Sequence, residues 1–228
     1  MLSNSQKMFV VAAHPDDEVL GCGGTIAKAV AAGMDVSVLL LGEGPTSRQD
    51  SSSVSERTHA TDSAQIAAQM LGVANIYYGA LPDNKFDTVP LLDVIKIIEK
   101  HAENVQPDLV ITHHSGDLNI DHSITHRAVM TAFRPLPETK QVALLGFEVL
   151  SSTEYATPNA MPTFVPNFYV NISKFLSEKF SALEAYRSEM REFPHPRSFE
   201  AVEHLARLRG AHSGCNAAEA FVLYRALF

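Results

Sequence analysis

The chain has 228 residues, 46% of them hydrophobic and 19% charged, with a formal net charge of −8. That length suits one globular domain with a sizeable core. The scattered Lys and Arg exclude the basic footprint of a nucleic-acid binder, and no apolar run approaches the roughly 20 residues of a membrane span.

The opening MLSNSQK lacks the apolar region and small-residue cleavage site of a secretory signal, which points to a cytoplasmic protein. Cys22 and Cys215 make neither a disulfide framework nor a CxxC site, so both are expected to be buried, reduced thiols. In chain order, the apolar runs predict short buried strands over Phe9 to Ala13, Asp35 to Leu41, Ile76 to Tyr78, Leu109 to Thr112 and Val142 to Val149. Between them, helical spacing predicts helices over Val19 to Ala32, Ser55 to Leu71, Leu91 to His101 and His122 to Phe133, the first stopping at Gly33 as a C-terminal cap and the second lying before Gly72. Strand and helix alternate, which predicts a Rossmann-like layered α/β fold with a mostly parallel sheet. Beyond residue 150 the texture changes. Ser151 to Pro166 reads as loop, then Ser173 to Met190 and Ser198 to Leu208 read as a C-terminal helical layer, the second helix opening on a Ser198 cap and closing at Gly210.

The chemistry concentrates at two strand ends. The first strand runs into AHPDDEVLGCGG, placing His14, Asp16, Asp17 and Glu18 where ligands bind in open α/β sheets. A nucleotide cradle is disfavoured: Gly21, Gly23 and Gly24 do not give GxGxxG, no GK[ST] follows, and carboxylates would repel phosphate. Those glycines are read instead as easing a tight helix start. Carboxylates also suit a helix N-terminus, which accounts for Glu18. The second cluster, THHSGDLNIDH at 112 to 122, makes that account insufficient, because it too follows an apolar strand. Imidazole and carboxylate donors suit zinc, and a catalytic zinc keeps three protein ligands and an open position. His14, Asp17 and His122 are the expected ligands, with Asp16 the general base acting on a water whose pKa the metal lowers toward about 7. Iron, cobalt or manganese would accept the same donors.

AHPDDE together with the distant DH resembles the PIG-L/LmbE-like family of zinc-dependent N-acetylglucosaminyl deacetylases, and LGEG, LPDNKFD, PDLVITH, DLNIDH and AEAF extend the resemblance. It implies a Rossmann-like fold and hydrolysis of an N-acetyl or other N-acyl group from an amino sugar or conjugate. It also implies the same ligands, His14, Asp17 and His122, with Asp16 as base and Asp121 orienting the site. The sequence departs from the family at NIDH, where many members carry HPDH, so Asn119 stands in place of a histidine that polarises the carbonyl. Asn119, His113 or His212 is expected to take that role beside the metal. Arg48, in the polar loop GPTSRQDSSS, is a candidate for holding a substrate hydroxyl or phosphate. Two competing readings keep the fold: an amidohydrolase for a non-sugar N-acyl metabolite, and a non-catalytic metal-binding module. Assembly into a homo-oligomer is left open.

Overall fold

The computed structural model of the protein describes residues 6–43 and 54–227, without the side chains of 54–59. Its elements are β1 (Lys7–Ala12), α1 (Asp17–Ala31), β2 (Asp35–Gly42), α2 (Val54–Leu71), β3 (Asn75–Leu81), α3 (Leu91–Val105), β4 (Leu109–His113), α4 (Ile120–Ala132), β5 (Ala143–Phe147), β6 (Phe168–Asn171), α5 (Leu176–Glu184), α6 (Phe199–Ser213) and β7 (Ala218–Arg225). The strands form one seven-stranded sheet in the order β3-β2-β1-β4-β5-β7-β6. β1 pairs in parallel with β2 and with β4, β2 with β3, and β4 with β5, while β7 runs antiparallel to both β5 and β6. The mostly parallel α/β fold is therefore as expected.

β1 shows why the sheet is covered on both faces. Successive side chains alternate sides, so Met8, Val10 and Ala12 join the core under α1, α2, α5 and α6, while Phe9, Val11 and Ala13 join the core under α3 and α4. An unbroken apolar run, rather than an alternating one, is what a doubly covered parallel strand requires. The chain winds outward from β1 through β2 to β3, then returns to β4 on the other side of β1. The gap beyond the ends of β1 and β4 is thus the point where the winding reverses.

Several expectations need correction. β6 and β7 fall outside the expected strands: β6 is only four residues long, and in β7 a buried Glu219 interrupts the apolar pattern of AEAFVLYR. The helix expected over 173–190 is only Leu176–Glu184, and α6 runs past Gly210 to Ser213, where Gly214 at φ 75° supplies the left-handed cap. Ser198 does cap it, its Oγ accepting from Ala201 N at 3.1 Å. The glycines of α1 serve packing within the helix, not its start. A Cβ on Gly21 would stand 2.3 Å from the Phe147 ring, and one on Gly24 would stand 2.8 Å from Ile172 Cδ1. Both cysteines are free, Cys22 buried as expected and Cys215 only half-buried. No helix among the described residues is long and apolar enough to cross a membrane.

α1 breaks at Cys22, whose φ of −148° is not helical. The break leaves Leu20 O without its helical partner and frees the Gly24 and Thr25 N–H groups. Lys179 Nζ donates to Leu20 O at 2.8 Å, and the Glu219 carboxylate accepts from Gly24 N at 3.0 Å and Thr25 N at 2.7 Å. Lys179 and Glu219 pair with each other at 2.6 Å, both buried. A residue from α5 and one from β7 thus splice the two halves of the helix that begins at the site.

Candidate metal centre

The turn from β1 into α1 is tight. His14 N donates to Asp17 Oδ2 at 2.9 Å, and Asp16 takes φ 106°, a conformation that costs a non-glycine residue about 1–3 kcal/mol and clusters at functional sites. Across the gap, Ala13 N donates to His113 Nε2 at 2.8 Å, locking the end of β1 to the end of β4. α4 then starts at Asn119, whose Oδ1 accepts from Asp121 N at 2.9 Å as an N-terminal cap. These two turns bring His14, Asp17 and His122 together.

Asp17 Oδ2 lies 3.3 Å from His14 Nδ1 and 3.2 Å from His122 Nε2. The three candidate ligand atoms all fall within 4.8 Å of one another. The second nitrogen of each imidazole is held by another carboxylate: His14 Nε2 by Asp121 Oδ2 at 3.0 Å, and His122 Nδ1 by Asp117 Oδ1 at 3.1 Å. Those carboxylates are themselves fixed. Asp121 Oδ1 accepts from Phe86 N at 3.0 Å, while Asp117 accepts from the Ser152 hydroxyl, from Thr153 Oγ1 at 2.6 Å and from Asn119 N at 2.9 Å. Such carboxylate–imidazole pairs orient metal-binding histidines.

The donor set fits a divalent transition metal. Asp17 is 1% exposed, yet among the described residues its Oδ1 has no hydrogen-bond partner. A buried carboxylate oxygen left unpaired is costly unless a cation meets it. The titration behaviour agrees. Burial would lower the His14 imidazole, but hydrogen bonds to Asp121 and Asp17 raise it to about 10. Burial likewise opposes protonation of His122, while the Asp17 charge and the Asp117 hydrogen bond raise it to about 9. Burial would raise the Asp17 carboxyl, but the facing His122 and His113 imidazoles hold it well below the usual carboxylate range. The cluster demands positive charge. A second grouping, His113, Asp117 and His122, is also compact. There, however, His113 Nε2 already accepts the Ala13 N–H and Asp117 is saturated by Asn119 N, the Ser152 and Thr153 hydroxyls and His122 Nδ1, so the first grouping is the better cation site.

Of these residues His14 and His122 line a cleft of about 290 Å³, together with Asp16, Asp83, Asn84 and Arg197. Asp16 is 3% exposed; burial pushes its carboxyl up to about 7, the nearby Arg197 charge opposing the rise. Asn119 reaches the same cleft and donates from Nδ2 to Asn84 Oδ1 at 3.2 Å.

Two sequence candidates lie elsewhere. His113 is fully buried, stacked on His122 at 3.9 Å between ring centroids and outside the cleft lining, so it cannot meet a substrate directly. His212 sits exposed on the last turn of α6, because GAHSG continues the helix instead of forming the expected turn, and it does not line the cleft. Arg48 lies outside the described residues. Sequence reasoning missed Asp117, which stood unassigned inside DLNIDH, and Ser152, Thr153 and Arg197, whose placement depends on long-range packing of a loop-like segment.

The fold that carries this centre is known from solved structures. The conserved protein TT1542 from Thermus thermophilus superposes with a TM-score of 0.76 at 27% identity over 100% of this chain and 97% of that one. The 4-carboxy-2-hydroxymuconate hydratase from Pseudomonas putida KT2440 superposes at 0.78 with 19% identity over 98% of each chain, a likeness of fold. The diacetylchitobiose deacetylase of Thermococcus kodakarensis is 24% identical over 200 residues, covering 82% of this chain and 71% of its own. Residues 9–133 match the PIG-L family, GlcNAc-PI de-N-acetylase, and the chain belongs to that family.

Proposed function

We propose that the protein is a zinc-dependent N-deacetylase that hydrolyses the N-acetyl, or a similar N-acyl, group of an amino sugar or sugar conjugate. The observation that carries this is the three-ligand His14–Asp17–His122 centre with Asp16 beside it on the cleft, its carboxylate not spent as a helix cap. Family membership and the diacetylchitobiose deacetylase relative support the substrate class.

Bound by His14, Asp17 and His122, a zinc ion supplies Lewis-acid polarisation of an acyl oxygen and lowers the pKa of water toward about 7. Asp16 takes the proton from the attacking water and delivers it to the leaving nitrogen, so that amide and water give acetate and a free amine. Asp121 and Asp117 hold the rings of His14 and His122 in the tautomers that turn Nδ1 and Nε2 toward Asp17. Of the three residues expected to help polarise the carbonyl, Asn119 alone lines the cleft, and its Oδ1 is committed to capping α4. Its Nδ2 is therefore the donor assigned to the acyl oxygen.

The test is metal analysis of the purified protein followed by acetate release from zinc-loaded protein over N-acetylated sugars, their conjugates and N-acetyl amino acids. Turnover of the sugars, lost in Asp16→Ala with zinc retained, is expected. Stoichiometric zinc with no acetate from any amino sugar or conjugate overturns the reading, and turnover confined to the amino acids moves the substrate class.

A further inference from the structure

Arg197 enters the cleft wall from the segment before α6, and its side chain is 24% exposed. Its Nη1 donates to Asp16 Oδ2 at 3.0 Å and its Nε to Ser151 Oγ at 3.1 Å. Its backbone is held on both sides. Arg197 N donates to His195 Nδ1 at 3.0 Å, its carbonyl accepts from Arg191 N at 2.9 Å, and the next residue, Ser198, caps α6. The guanidinium is thus carried on a fixed stem.

Its second anchor is equally placed. Ser151 stands at φ 67°, with its N–H donating to Glu154 Oε1 at 2.6 Å. The two residues that follow, Ser152 and Thr153, give their hydroxyls to Asp117, the carboxylate that holds His122 Nδ1. One short turn therefore orients a metal-ligating histidine through Asp117 and, through Arg197, the carboxylate of Asp16. Asp16 has no other fixing contact of this kind: it makes no capping bond in α1, and the Arg197 hydrogen bond is the one its carboxylate receives among the described residues.

We propose that Arg197 is the positioning residue for Asp16, holding Oδ2 so that Oδ1 is presented to the reacting water and amide. The proposal rests on the deacetylase reading above. A forked guanidinium can span Asp16 and Ser151 at once, whereas lysine is a point charge on a flexible stem and cannot replace it. An error near 1 Å in the placement of a reacting group costs about 100-fold in rate.

The experiment compares zinc-loaded wild type, Arg197→Ala, Arg197→Lys and Ser151→Ala by steady-state kinetics, zinc content and crystallography. Both arginine variants are expected to lose about 100-fold in kcat with KM and zinc content unchanged. Added guanidinium restores part of the Arg197→Ala turnover, Arg197→Lys does not recover, and Ser151→Ala shows a smaller loss because the fork keeps its Asp16 anchor. In the crystals the Asp16 carboxylate leaves its wild-type position when the fork is gone. A rise in KM with kcat unchanged, loss of zinc, or an unmoved Asp16 carboxylate in the arginine variants overturns the proposal. Should wild type hydrolyse no substrate, the deacetylase reading fails on that control, and the position of Asp16 in the crystals still decides the role of Arg197.

Discussion

Two buried ionic clusters share α1, and they are finished in opposite ways. Around its break, the Glu219 carboxylate accepts from two backbone N–H groups and from Lys179, which also satisfies Leu20 O. At its start, Asp17 crowds three imidazole nitrogens within 3.5 Å of Oδ2 while Oδ1 stays without a partner among the described residues. Both sets are buried and charged, so burial and charge alone would rank them equal. What separates them is saturation. A cluster in which every charged group is paired is complete as protein, and one that leaves a buried carboxylate oxygen unpaired is complete only with a cation.

The largest effect should come from breaking the complete cluster. Glu219→Ala strands Lys179 and two backbone donors in the interior, and truncating one member of such a pair costs about 3–5 kcal/mol. Urea unfolding should show this loss equally with and without zinc. Replacing Lys179 and Glu219 together by methionine and glutamine should not restore wild-type stability as it does for simple ion pairs, because the helix break still needs its carbonyl and N–H groups capped. A stable double variant would mean that the splice is dispensable.

Asp17→Ala should do the reverse. The zinc-free protein keeps its fold, while zinc, which at 100 times its dissociation constant stabilises the wild type by about 2.7 kcal/mol, no longer raises the unfolding midpoint. Calorimetric titration with zinc and thermal melts at matched concentrations check this. An undiminished zinc-dependent shift would place the metal elsewhere. Asp121→Asn and Asp117→Asn act on the far side of the ligand rings, and each should weaken zinc affinity by about 10- to 100-fold through a misoriented ring.

The contrast also explains what could be read in advance. Apolar runs and helix caps betrayed the parallel part of the sheet, and the HPDDE and DH segments pointed to the residues that converge as candidate ligands, since both signals are local. Glu219 and Lys179 act across 195 and 159 residues of chain, and no spacing rule connects them. For the same reason β7 escapes a reading of local pattern: its most informative residue is a buried glutamate whose partner is a helix break far upstream. Arg197 and the Ser151–Thr153 turn reach the site through tertiary packing alone, so a Pro- and Ser-rich stretch reads only as loop. Asp117 is the intermediate case, visible inside a motif but given a role only by the convergence of Thr153 and His122 on it.

The smallest stability effect, and the sharpest functional one, is expected at Asn119, which belongs to both kinds of cluster at once. Its Oδ1 is structural, accepting from Asp121 N, and its Nδ2 donates to Asn84 Oδ1, both asparagines lining the cleft with His14 and His122. Asn119→Asp keeps an acceptor for the cap and removes the donor, whereas Asn119→Ala removes both. Losing the cap costs about 0.5–2 kcal/mol, so the alanine variant should unfold earlier and the aspartate variant should not. Because Asp121 N is also the group that sets the first turn of α4, and Asp121 holds His14, the alanine variant should lower zinc affinity as well. Both should lose kcat if Nδ2 meets the acyl oxygen, the aspartate variant by at least as much, since it places a negative charge where negative charge develops. Retained turnover in Asn119→Asp would move the oxyanion donor to another residue of the cleft and reduce Asn119 to the cap of α4.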